Sequence, residues 1–370
     1  MQDKNEDLSK LRAVGSDGTV VNTGSRGGII HRLELHLGRP LQWNICLLHA
    51  NELPLRHLFQ HLDGVTSGPK TYSGEIGKLL VDCELSELAE YDPIPIDLPD
   101  VTNIEDLSTD QKYLLKIMIA VSSGICDEDL LKTKPGIMSH SRWLTTANRI
   151  LRLYVSSNDP SETLKTLATF IMKVYGPMWF AIKKMSSCFD GPKHLVDTIR
   201  KSRYLDDNLK KVVDPVIQRN GFYSHPENLL LSMLGDDNKV QREIAYRRIM
   251  KIRDADSSDG VRKFVVPDIN MEANHYASLI YWHKENCVVT EPPLTKDISS
   301  ERLKSVIDEN NIREIVPELP CHTQCVERYV KLVTNASASV IGYNSRDGLI
   351  RNQIESRRLM PTFHTKRDFV

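Results

Sequence analysis

The chain has 370 residues, 40% of them hydrophobic and 26% charged, an ordinary globular composition with length for one large domain or two smaller ones. A formal net charge of −1 excludes a global positive field that would draw the protein to nucleic acid, and no apolar run approaches the length of a membrane span. Seven scattered cysteines, behind an N-terminus (MQDKNEDLSK) with no apolar signal core, fit a reduced intracellular compartment.

Residues 1–10 read as a polar, frayed start. LRAVGSDG then reads as a strand stopped by Gly15, Asp17 and Gly18. SRGGIIHRLELHLG places Ile29, Ile30, Leu33 and Leu37 on a helical stripe with Gly38 as C-cap. PLQWNICLL reads as the next strand. NELPLRHLFQHL reads as the next helix, with Leu53-Pro54 in its first turn. Strand, helix, strand, helix within about 50 residues predicts an α/β unit with parallel strands. Residues 64–109, rich in proline and glycine, predict connecting loops.

After Asp110 the pattern is strongly helical. Helices are predicted over TDQKYLLKIMIAVSSG and MSHSRWLTTANRILRLYVSS, and over PSETLKTLATFIMKVYGPMWFAIKK with a break at Gly176-Pro177. Further helices are expected near 193–203, 205–219, 226–235, 238–252, 274–283, 300–310 and 320–341. SSDGVRKFVVPDINM reads as a loop with a short strand.

Charge is unevenly spread. Glu75 to Asp129 holds 14 acidic and 3 basic residues, a net of −11, whereas Lys183 to Arg219 holds 9 basic and 5 acidic, a net of +4. The tail from Arg351 to Val370 has a net of +3. Either basic stretch reads as a solvated helix face or as a weak phosphate-attracting surface, with Arg200, Lys201, Arg203, Lys210 and Lys211 the candidates in the first.

Four features could carry chemistry. Asp17, at the end of a predicted parallel strand, is either a ligand-facing carboxylate at the crevice of an α/β sheet or a turn aspartate beside Gly18. Gly24, Gly27 and Gly28 precede a helix and could cradle a phosphate, although their spacing matches neither the dinucleotide fingerprint nor the P-loop. Cys46-x2-His49 offers two ligands of zinc-binding type, or a buried cysteine and a helix-start histidine. Cys321, His322 and Cys325 lie nearly 300 residues on, and no zinc is expected. Glu327 is either a first-turn carboxylate facing a site or an ion-pair partner of Lys331. Arg142 and Arg149, seven apart, share a helix face opposite the Trp143 stripe, a solvated face or a phosphate contact.

In their order, SDGTVVNTGSRGGIIHRLE, CLLH, SRWL in a helical stretch and HTQCVERYVKLV resemble the catalytic region of cut-and-paste DNA transposases, closest to hAT-like and Kolobok-like elements and element-derived proteins. The resemblance spans roughly residues 10–370. It implies an α/β fold, a ribonuclease H-like core of parallel strands with helices, interrupted by a large all-helical insertion. The parts would be a disordered 1–10, an α/β part 11–63, connecting loops 64–109, an insertion 110–310, a return helix 311–345 and a tail 346–370. By the same resemblance Asp17 corresponds to the second catalytic aspartate and Glu327 to the catalytic glutamate. Cys46 and His49 match the family's Cys-x2-His, and Arg142-Trp143 its Arg-Trp pair.

The chemistry implied is metal-dependent strand cleavage and joining, in which two Mg²⁺ ions roughly 3.5–4 Å apart serve an in-line displacement. Asp17 and Glu327 would then approach within roughly 8 Å. The family's first catalytic aspartate has no counterpart: only 16 residues precede Asp17, room for one strand, and Asp3, Glu6 and Asp7 are poor substitutes. The expectation is therefore an N-terminally truncated, transposase-derived protein that is catalytically incomplete, using Mg²⁺ only if active. DNA is a weakly held partner, a nuclear location follows from the resemblance alone, a homo-oligomer is compatible and no membrane is involved. The alternative is a helical interaction or scaffold protein without DNA or metal function.

Overall fold

The computed structural model describes residues 8–66, 71–101, 104–138, 143–255, 261, 264–285 and 287–323. Strand β1 (Ala13–Ser16) is followed by helices α1 (Val20–Thr23) and α2 (Ile29–Leu37), strand β2 (Gln42–Ile45) and the long helix α3 (Leu47–Asp63). The two strands pair in parallel, Ala13 opposite Gln42 and Ser16 opposite Ile45, as the β-α-β order predicts. Gly38 takes the left-handed conformation (φ 64°) that ends α2.

β2 is buried throughout. Its alternation sends Trp43 and Ile45 into a small core with Ile30, Phe222 and Phe264, where the Trp43 and Phe264 rings stack with centroids 4.1 Å apart. The other face is polar yet buried, and its amide nitrogens find partners. Gln42 donates to the Asn228 side chain at 2.7 Å and Asn44 to the Pro320 carbonyl at 2.9 Å. Behind the sheet, buried Glu34 of α2 accepts from the Trp43 indole (2.8 Å) and from the Leu41 N–H (3.0 Å).

α3 starts four residues earlier than the helical pattern alone predicts, directly after Cys46. Of the apolar run Cys46–Leu48, read as strand, Leu47 and Leu48 are helix and Cys46 is its N-cap, all three buried in the core. Pro54 consequently lies in the helix interior, where its missing N–H leaves the Ala50 carbonyl without that bond.

The rest of the described chain is mainly helical: α4 (Glu75–Leu79), α5 (Thr109–Ser123), α6 (Glu128–Lys132), α7 (Trp143–Tyr154), α8 (Glu162–Phe170), α9 (Gly176–Lys184), α10 (Gly191–Ser202), α11 (Asp207–Asn220), α12 (Pro226–Leu234), α13 (Lys239–Asp254), α14 (Ser300–Glu309) and α15 (Ile312–Ile315). Local signals set several ends. Ser108 and Gln111 form a capping box at α5, and the Asp206 side chain accepts from the Asn208 and Leu209 N–H groups at α11. The break expected at Gly176-Pro177 is a π turn, Ile171–Tyr175, in which the Gly176 N–H reaches the Ile171 carbonyl five residues back and the helix runs on. Residues up to His322 form one compact unit whose core draws on α3 as well as on α5 to α14.

One expected helix takes another form. Near 274–283 there is a single tight turn, Tyr276–Ser278, because His275 Nδ1 accepts from the Ala277 N–H and Asn270 pairs with Leu279, local bonds that compete with a helix. In SSDGVRKFVVPDINM the described residues show an isolated bridge of Ile269 to Ile280 in place of a strand. Pro320 begins no helix; it bridges antiparallel to Ser187, and the remainder of the helix expected over 320–341 lies outside the described residues from residue 324 on.

Candidate functional site at the end of β1

Asp17 follows β1 directly, at the C-terminal end of the parallel pair. One oxygen, Oδ1, takes three bonds: the Thr19 N–H (3.1 Å), the Thr19 hydroxyl (2.7 Å) and the Asn22 amide (2.7 Å). These tie the carboxylate to the start of α1 and leave Oδ2 without a hydrogen bond among the described residues. Burial opposes the charged form, but the Thr19 and Asn22 bonds and the nearby His49 outweigh it, so the carboxyl sits below its ordinary value. His49, in the first turn of α3, lies beside Gly18; burial lowers its pKa against the raising pull of Asp17. The site is thus a carboxylate and a neutral-leaning imidazole at a sheet end.

The adjacent glycines are used for chain packing. The N–H groups of Gly24 and Gly28 donate to the carbonyls of Val20 (2.9 Å) and Gly24 (2.8 Å), so neither is available to a phosphate. A Cβ on Gly28 would fall 2.5 Å from the Gly24 nitrogen, which explains the glycine sterically.

Cys46 and His49 diverge. Cys46 is buried at the N-cap of α3 and lies in the electrostatic neighbourhood of the Tyr223 phenol, together with Cys188 and Cys321, while His49 faces Asp17. Among the described residues no three His, Cys, Asp or Glu side chains converge as a metal-holding group. Glu327, Cys325 and Arg142 lie outside the described residues, and with them the expected approach of Asp17 to Glu327.

The basic candidates separate into two kinds. Arg149 corrects the expectation of a solvent-facing arginine: it is buried, bonded to Glu84 at 2.7 Å and to the carbonyls of Leu80 (2.7 Å), Val81 (2.9 Å) and Gly136 (2.9 Å). α7 is buried on nearly every side, so the face opposite Trp143 meets protein, and Arg149 does not reach a phosphate. Arg203 is bidentate on Asp214 and also donates to the Ile199 carbonyl, which spends its guanidinium inside the fold. Arg200 and Lys210 make exposed pairs with Asp197 (3.5 Å) and Asp207 (3.4 Å), and Lys201 and Lys211 are exposed.

No protein-family model matches this chain, and no curated protein or solved structure gives a significant match.

Sequence reading missed an open cleft of about 430 Å³, lined by Pro95, Ile96 and Asp97 of the loop region and by Met172, Lys173, Pro177 and Lys201 of the helices. The proline-rich run and the Gly176-Pro177 break were visible signals, but nothing local says that they meet.

Proposed function

We propose that the protein is derived from a cut-and-paste DNA transposase, that β1, β2 and their helices are part of a ribonuclease H-like core, and that the helical mass is the insertion. The carrying observation is Asp17 at the C-terminal end of β1 in a parallel pair, where α/β sheets present side chains to ligands. A second feature supports the reading. The carbonyls of Arg12, just before β1, and of Ser16, its last residue, accept from the Gln42 and Cys46 N–H groups, so Ala13 and Gly15, of opposite parity, turn their backbone groups to the other edge. Among the described residues no strand pairs with that edge beside Asp17.

Catalytically, Asp17 offers a hard cation the carboxylate oxygen that has no hydrogen bond among the described residues, and His49 beside it is biased to the neutral form, so it does not repel one. Two-metal phosphoryl transfer needs further acidic ligands. Asp17 by itself would be a weak Mg²⁺ ligand. The scaffold alternative draws support from the burial of Arg149 and the pairing of Arg203, basic residues consumed by the fold itself.

The test is Mn²⁺ titration of the folded protein followed by nuclear magnetic resonance. Paramagnetic broadening of amides near Asp17 and His49, lost in Asp17→Asn, is the expected outcome. Broadening spread over unrelated surface carboxylates, unchanged by that substitution, would reduce Asp17 to a turn residue and remove the reading.

A further inference from the structure

The two oppositely charged stretches of the sequence meet in space. Residues 87–101 run extended across the helices as a strap, carrying Glu87, Glu90, Asp92, Asp97 and Asp100. Its first half is anchored through backbone atoms. The Ala89 N–H donates to Val155 O (3.0 Å), the Ile94 N–H to Val121 O (2.9 Å) and the Ile96 N–H to the Ser122 hydroxyl (3.2 Å), while the Tyr91 and Tyr154 hydroxyls donate to Ala120 O and Asp92 O.

Beyond Ile96 the backbone hydrogen bonds stop until the chain packs against the core again at Val101. Among the described residues 97–101 the polar attachment is a single ion pair, Asp100 to Lys184 at 2.6 Å, between side chains that are 73% and 47% exposed. An exposed pair of this kind contributes little stability and weakens with salt. Asp97 lines the cleft opposite Lys173 and Lys201. Lys173 projects outward from the π turn between buried neighbours, and its ammonium lies 4.8 Å from the Tyr204 ring centroid, a contact that holds it without cancelling its charge. Neither Lys173 nor Lys201 has an ion-pair partner among the described residues.

We propose that Lys173, Lys184 and Lys201 form a surface for the phosphate backbone of duplex DNA, and that Asp97 and Asp100 of the strap mask it, an autoinhibitory contact confined to the stretch between Ile96 and Val101. The reading rests on DNA as the protein's partner. Lys173 and Lys201 line one cleft and have no ion-pair partner among the described residues, Lys184 lies further along the same helical run, and the acids facing them sit on the short stretch between Ile96 and the core-packed Val101, held by one exposed ion pair. A duplex carries a charge about every 1.7 Å along its axis, so it competes with two carboxylates for the same ammonium groups.

The experiment measures binding of a fluorescent duplex by the full chain at several salt concentrations, with thermal melting to confirm that each variant is folded. Asp97→Asn/Asp100→Asn is expected to bind about tenfold tighter than wild type at low salt, with the gain shrinking as salt rises. Adding Lys173→Gln, Lys184→Gln and Lys201→Gln should cancel that gain. Equal affinity of wild type and the Asn pair overturns the mask, and so does a complete absence of DNA binding by both. A gain that survives the three lysine substitutions overturns the surface. The Mn²⁺ broadening at Asp17 is read separately, so its presence alongside a failed DNA result rejects the strap and leaves the transposase reading standing, and its absence alongside a positive result does the reverse.

Discussion

The sheet end and the helical mass use charge in opposite ways. At the end of β1 a carboxylate is held by near neighbours in sequence, Thr19 and Asn22, with one oxygen left without a hydrogen bond among the described residues. In the helical mass Arg149 is buried and pairs with half-buried Glu84, 65 residues away, every contact coming from distant chain. A locally held charge leaves its chemistry available, whereas a charge fixed by tertiary contacts is part of the packing. The same residue types thus mean different things in the two regions.

The strongest way to break this comparison is Arg149→Ala. It leaves Glu84 and three carbonyls without their donor, and truncating one side of a buried pair costs about 3–5 kcal/mol. Denaturant unfolding should show a midpoint shift of that size, and a loss below about 1 kcal/mol would mean that the pair is solvated.

His322 sharpens the contrast by pH. It is buried, and burial, reinforced by Lys183 and His194, brings its pKa down to about 4. The unfolded chain, with a histidine pKa near 6.5, binds a proton that the folded chain refuses. Stability is therefore full above about pH 6.5 and falls as the pH drops toward 4, by an amount on the order of 3 kcal/mol. Unfolding measured from pH 8 to pH 4 should lose part of that slope in His322→Phe, and an unchanged slope would assign the effect to other histidines.

Asp17 should give the smallest effect. Its folded pKa is lowered, so its contribution is present above the unfolded value near 3.9 and is lost as the pH falls through the folded one. Asp17→Ala removes the bonds to Thr19 and Asn22 and should cost about 1 kcal/mol at neutral pH, a cost that shrinks as the pH falls through the lowered folded pKa. A cost several times larger would place Asp17 with the packed charges and erase the distinction between the two regions.

Much of the helical content was legible, because apolar spacing, the Ser108–Gln111 box and Gly38 are local signals that act within one or two turns. So were the parallel strands and the position of Asp17 after β1. The start of α3 was less so: an apolar run of three or four residues satisfies strand and helix alike, and its burial behind β2 made the choice. Sequence could count the acids of residues 75–129 and the bases of 183–219, but only the tertiary structure laid Asp97 and Asp100 beside Lys201 and Lys184 and drew Arg149 inside. The physical reason is range: helix periodicity and caps are decided by neighbours along the chain, whereas burial and charge pairing are decided by whichever distant segments the core brings into contact.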